Sequence, residues 1–231
     1  MAALPPAERV SDMNAFWSFI TERYPDILKA LQEHLAISFS AVILGTIIAV
    51  PIGILLVYSR VGWINSIVFF VANLFQTVPS LALLAILIPL LGIGMKPAIL
   101  ALLLYSLMPI LRNTYDGFHS VDKGVLNSAK GMGYSTAQTI MRIQLPLSLP
   151  YIMSGIRITT VYIISWATLA SLIGAGGLGQ LIVSGLGVNK PEMIYIGGIG
   201  AILLALIADG LLGLLEGWLS KHYHQTRESA I

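Results

Sequence analysis

The sequence predicts an all-α integral membrane protein of about five transmembrane helices, with an amphipathic helix ahead of them and a polar hairpin in their middle. Three observations carry this. The 231 residues are 56% hydrophobic and 10% charged, with a mean hydropathy of +0.84, whereas soluble domains carry about 25% charged residues. Several uncharged runs reach the roughly 20 residues a helix needs to cross a bilayer. One moderately polar stretch, NSAKGMGYSTAQTIMRIQLPLSLP from Asn127 to Pro150, interrupts those runs.

The elements follow in order. Residues 1–34 form an N-terminal tail in which NAFWSFITERYPDILKALQEH has aromatic and aliphatic residues at helical spacing, a helix expected to lie along the outer interface. Residues 35–219 form the transmembrane unit, and 220–231 a short tail. Leu35 to Ser59 carries no formal charge and makes the first span. Val61 to Met95 is uncharged and longer than one straight helix requires, so the second span is expected to tilt or to kink at Pro79. Lys96 and Pro97 open a third span that runs to Arg112. A fourth follows Pro146 and ends before GAGGLG at Gly174–Gly179, and the fifth lies between Met193 and Trp218.

Charge sets the orientation. With the N-terminus outside, Arg60, Arg112, Lys123, Lys130, Arg142, Lys221 and Arg227 fall inside, against Arg9, Arg23, Lys29, Lys96 and Lys190 outside. The positive-inside bias therefore favours N-out and C-in, with the 119–146 segment in the cytoplasm. The net charge of +2 is too small and too scattered to indicate a nucleic-acid partner. The absence of cysteine excludes disulfides and thiolate metal sites. His34, His119, His222 and His224 form no cluster, so no metal site is expected. Glu8, Arg9 and Asp12 break up the start of the chain, which has no cleavable apolar core.

The 119–146 segment is longer than a connection between helices needs. It reads as two short helices hinged at Gly131 and Gly133. Val125, Leu126, Ala129 and Met132 make one apolar stripe, and Ile140, Met141, Ile143 and Leu145 another. Pro146 suits the first turn of the helix that follows. An exposed amphipathic hairpin at the membrane base can dock a soluble partner; the other reading is an ordinary amphipathic loop.

Here the chain resembles the permeases of binding-protein-dependent ABC importers, of the type I fold. Their cytoplasmic signature is Glu-Ala-Ala, three residues, Gly, nine residues, Ile, one residue, Leu-Pro. Ala129, Gly133, Ile143, Leu145 and Pro146 fall at those spacings, while Asn127 and Ser128 stand where the signature has Glu and the first Ala. QTVPSLALLAILIPLLGIG, PILRNT and WATLASLIGAGGLG are similar to the glycine betaine, carnitine and choline branch. Methionine-type permeases, for another small amino-acid-like solute, are built similarly. The resemblance implies that the hairpin is the coupling helix, fitting a groove on a cytoplasmic ABC ATPase subunit. It also implies an extracytoplasmic substrate-binding protein, a second permease copy or sibling, and a multi-pass place in a bacterial plasma membrane. No G-x-x-x-x-G-K-[ST] occurs, so ATP and Mg²⁺ are expected on the partner subunit and no cofactor or catalysis on this chain.

Polar residues inside spans are costly and therefore informative. Asn73, Gln76, Thr77 and Ser80 fall at i, i+3, i+4 and i+7 around Pro79, on one face of the second span. The third span adds Tyr105 and Pro109, the fourth Trp166 and Thr168. These residues either line a polar passage or hydrogen-bond neighbouring helices. Arg157 and Asp209 sit at matching depths in the fourth and fifth spans, and an ion pair between them is expected; the other reading is that Arg157 snorkels to the inner headgroups. GAGGLG matches G-x-G-x-x-G but follows an apolar helix rather than a strand, so it reads as a turn re-entering the bundle or as a loop closing two helices tightly. A secondary transporter is a weaker reading, because Asp209 is the only acid well inside a span and no repeat is visible.

Overall fold

The computed structural model describes the backbone of residues 6–228 and the side chains of residues 16–221. The two chain ends and the side chains of Arg9, His222, His224 and Arg227 lie outside the described residues. Among those residues every regular element is helical.

Helix α1 runs without a break from Pro6 to Tyr58, 53 residues. The amphipathic stretch before position 34 and the first span are therefore one helix, about 80 Å long at 1.5 Å per residue. Its helix formers carry it through Pro25 and Pro51. The second span is not one kinked helix. Helices α2 (Gly62–Thr77) and α3 (Ser80–Leu91) meet at a bend of 99°. Proline disfavours helical backbone at the residue before it, and Val78 (ψ 129°) and Pro79 (ψ 136°) are both extended. With 16 and 12 residues, neither half is long enough to cross a bilayer alone.

Helix α4 (Met95–His119) extends two turns past Arg112. The polar segment then forms α5 (Lys123–Gly131), and α6 (Thr136–Thr139) flows through a π turn at Ile140–Gln144 into α7 (Leu145–Ala167). The second arm of the hairpin is thus not a separate short helix but the start of the fourth span. Pro146 offers no N–H to the carbonyl four residues back, and the chain widens instead, with Leu145 donating to the Ile140 carbonyl in an i→i+5 bond. A 3₁₀ turn (Leu169–Ile173), the glycine loop and α8 (Leu178–Gly187) lead to α9 (Pro191–Glu228). Four helices are long and apolar enough to cross a membrane, five if the bent α2–α3 pair is counted as one span.

Helices α1, α4 and α7 form the centre. Small residues let them approach: a Cβ on Gly155 of α7 would lie 2.6 Å from the Asn113 Cβ of α4. Ile37, Ala41, Leu84, Ala98, Leu102 and Ile163 pack in the largest buried cluster. Helix α9 is peripheral, with only 6% of its most apolar window buried.

Candidate functional site

The broken span is tied to α4 by two bonds, one at Pro109 of α4 and one beside Pro79 of the break. Pro109 has no N–H to give the Tyr105 carbonyl, and Gln76 Nε2 donates to it at 3.3 Å. The Val78 carbonyl sits in the extended gap between α2 and α3, and the Tyr105 hydroxyl donates to it at 2.5 Å. Trp166 of α7 packs edge-on against the same Tyr105 ring, centroids 4.6 Å apart, and Tyr162 stacks on Trp166 at 6.2 Å. Gln76 and Trp166 therefore converge on Tyr105, which is 3% exposed. The other polar candidates do not join them. Ser80 lies beyond the 99° bend, so Asn73, Gln76, Thr77 and Ser80 do not share one helix face. The Thr77 and Thr168 hydroxyls donate to the Leu74 and Ser165 carbonyls of their own last turns, at 2.8 and 2.7 Å. Asn73 is exposed on α2.

The hairpin between the third and fourth spans is held by local capping. Asp122 Oδ1 accepts from the Gly124 and Val125 amides at 2.8 and 3.2 Å, starting α5. At its end, Gly133 N–H donates to the Lys130 carbonyl and Tyr134 N–H to that of Ala129, both at 3.0 Å. This is a Schellman turn, and Gly133 occupies its left-handed position with φ +81°. Gly131 is helical, with open space where a Cβ would stand, so the hinge is Gly133 alone. Ser135 and Gln138 form a capping box that starts α6. Ala129 is fully buried, while Asn127 is exposed. Ile143, Leu145 and Pro146 are half-buried at the base, leaving Met132 (68% exposed) and Met141 (63%) as the apolar residues offered outward. The Tyr58 hydroxyl donates to Gln144 Oε1, fastening the hairpin base to the end of α1.

Arg157 and Asp209 meet in a bidentate pair, Nε–Oδ1 2.6 Å and Nη2–Oδ2 2.8 Å. Glu216 adds a third contact, 3.2 Å from Arg157 Nη1. Asp209, Gly213 and Glu216 are one and two turns apart on α9, and the guanidinium lies over Gly213, where a Cβ would stand 2.9 Å from it. At the opposite end of the bundle, Glu33 Oε2 accepts from the Gly177 amide at 3.0 Å, at the start of α8. Gly174, Gly176 and Gly177 have φ between +74° and +81°, and a Cβ on Gly179 would stand 2.7 Å from the Thr168 carbonyl carbon. The loop is pinned and closely packed. The adjacent His34 is fully buried, with Nε2 3.0 Å from the Ile164 carbonyl. That carbonyl is free because Thr168 N–H turns to Ser165 as α7 tightens to 3₁₀.

Sequence reasoning did not single out Glu33, His34, Gly213, Glu216 or the Tyr58–Gln144 bond. Glu216 was within reach, since seven residues after Asp209 is two turns along the same face. The others join elements far apart in sequence and left no periodic trace. Among the described residues no group of His, Cys, Asp or Glu could hold a metal ion.

Residues 49–221 match the family described as binding-protein-dependent transport system inner membrane component. The carnitine transport permease protein OpuCB of Listeria monocytogenes is 48% identical over 88% of this chain and 93% of its own length. The glycine betaine/carnitine/choline transport system permease protein OpuCB of Bacillus subtilis is 47% identical over the same shares. Among solved structures, the inward-facing MetNI methionine ABC transporter superposes with a TM-score of 0.77 at 21% identity, covering 86% of this chain and 98% of that one, which shows a shared fold. This chain therefore belongs to the binding-protein-dependent ABC importer permeases, the inner-membrane components of such transport systems.

Proposed function

We propose that this chain is the membrane-spanning subunit of an ATP-driven importer for quaternary-amine osmoprotectants of the glycine betaine, carnitine and choline class. The observation that carries the substrate is the near-half identity, along most of the chain, to permeases named for those solutes. The likeness to the methionine transporter is one of fold and says nothing of substrate.

In this reading two copies, or this chain and a sibling, enclose the pathway between an external binding protein and two internal ATPases. The N-terminus lies outside, and the hairpin and C-terminus inside. ATP and Mg²⁺ belong to the ATPase subunits, since this chain has no P-loop sequence. The hairpin around Asn127, Ala129 and Gly133 enters the ATPase groove. Because α6, the π turn and α7 are continuous, force on the hairpin acts directly on the fourth span, a two-state element biased by a partner. Gln76, Trp166 and Tyr105 set the angle of the broken span beside the pathway, and the Arg157–Asp209 pair braces α7 against α9.

Uptake of labelled glycine betaine, choline, carnitine and methionine by vesicles holding the whole complex tests the reading. ATP-dependent uptake of one of the first three is expected, and uptake of methionine alone would refute the substrate class.

A further inference from the structure

Where α1 and α4 end beside the hairpin, a cavity of about 420 Å³ opens between Val57–Arg60, Phe118–Lys123, α5 and the start of α6. Arg60, His119, Lys123 and Lys130 line it, and no carboxylate does among the described residues. Three other arginines have partners: Arg23 pairs with Asp26 at 2.9 Å, Arg112 lies 4.6 Å over the Phe69 ring, and Arg157 holds its two acids. Arg60, Lys123 and Lys130 have no acidic partner among the described residues, though Asp122 is adjacent, because Asp122 is spent on capping α5. Three cations without an acidic partner round one concavity make a positive site that an anion would neutralise. Gln144 also lines the cavity; it is 3% exposed, and its Oε1 accepts from the Tyr58 hydroxyl.

The position selects the kind of anion. The apolar run of α1 stops at Tyr58, and α4 carries on two mostly polar turns past Arg112 to His119, so the cavity opens where α1 leaves hydrocarbon, beside the polar inner end of α4. Headgroup phosphates lie at that depth, and aromatic side chains such as Tyr58 mark it. Basic pockets between transmembrane helices at this level suit anionic headgroups. We propose that the cavity binds the phosphate of an anionic phospholipid, so that a lipid headgroup bridges the end of α1 to the hairpin. The proposal requires only that the chain spans a membrane and is independent of the substrate.

The test uses the whole importer, purified with wild-type chain or with R60Q/K123Q/K130Q and offered equal amounts of phosphatidylglycerol and phosphatidylcholine. Native mass spectrometry counts the lipids retained. Wild type is expected to keep phosphatidylglycerol several-fold over phosphatidylcholine, the triple variant to lose that preference, and K96Q/K190Q, outside the cavity, to keep it. R60Q alone, clear of the hairpin, carries the test if the triple variant fails to assemble, and should lower the preference by itself. Equal retention of the two lipids by wild type, or an unchanged preference in R60Q and the triple variant, would overturn the proposal. A parallel thermal titration uses inorganic phosphate: stabilisation of lipid-free wild type, absent in R60Q, without any lipid preference would assign the cavity to a soluble phosphate and overturn the headgroup.

Discussion

Arg157 on α7 grips Asp209 on α9 through both carboxylate oxygens, at 2.6 and 2.8 Å. The geometry is the fork-to-fork match that only arginine provides, with Glu216 on the remaining nitrogen. Met193, Ile196 and Leu204 pack the outer part of α9 against Leu178 and Leu181, and the Arg157 cluster ties its inner part to α7.

Asp209→Asn leaves the guanidinium with Glu216 alone, in a setting where an unmatched charge is costly. It is expected to lower the melting temperature of the detergent-purified importer by several degrees. Arg157→Gln together with Asp209→Asn should lose less than the two single changes added. Strict additivity in thermal unfolding would show that the residues do not act as a pair.

Gly133→Ala places a side chain at φ +81°, at a cost of roughly 1–2 kcal/mol. The Schellman turn should loosen, and less ATPase should co-purify with the permease. Gly131→Ala, at a helical site with open space, is expected to be neutral or to stabilise by about 0.5 kcal/mol. Pull-down yields for the two variants should therefore diverge.

Tyr105→Phe keeps the ring against Trp166 and removes the donor to the Val78 carbonyl. Leaving that carbonyl without its partner costs about 1–3 kcal/mol. Uptake should fall because the angle between α2 and α3 relaxes, while binding of the external binding protein is retained. Normal transport by this variant would remove Tyr105 from the pathway's supports.

Glu33→Ala deletes the acceptor at the start of α8, a loss of about 1 kcal/mol at a helix N-cap. Amide hydrogen exchange at Gly177 should quicken several-fold, with α4 unchanged. Exchange equal to wild type would show that the glycine geometry alone holds the loop.

Composition and uncharged run lengths made the fold class, the span count and the polar hairpin legible, because a bilayer admits few ways to satisfy a backbone. The spacing of Ala129, Gly133 and Leu145–Pro146 located the hairpin, and Gly133 turns out to be a left-handed helix cap. Pro79 marked the break but not its 99°, since a proline removes one hydrogen bond and the partners of the freed groups set the angle. The bonds that hold the break, Tyr105 to the Val78 carbonyl and Gln76 to the Tyr105 carbonyl, both run between helices distant in sequence.

Local chemistry thus determined which segments are helical, where they break and which cap each end carries. Which residues meet was decided by packing. Arg157 reaches Asp209 and Glu216 over Gly213, Glu33 reaches Gly177, Tyr58 reaches Gln144, and three cations close on one cavity. Each of these contacts spans more than 50 residues, apart from the cations, and depends on helix rotation and depth, which short-range periodicity does not specify.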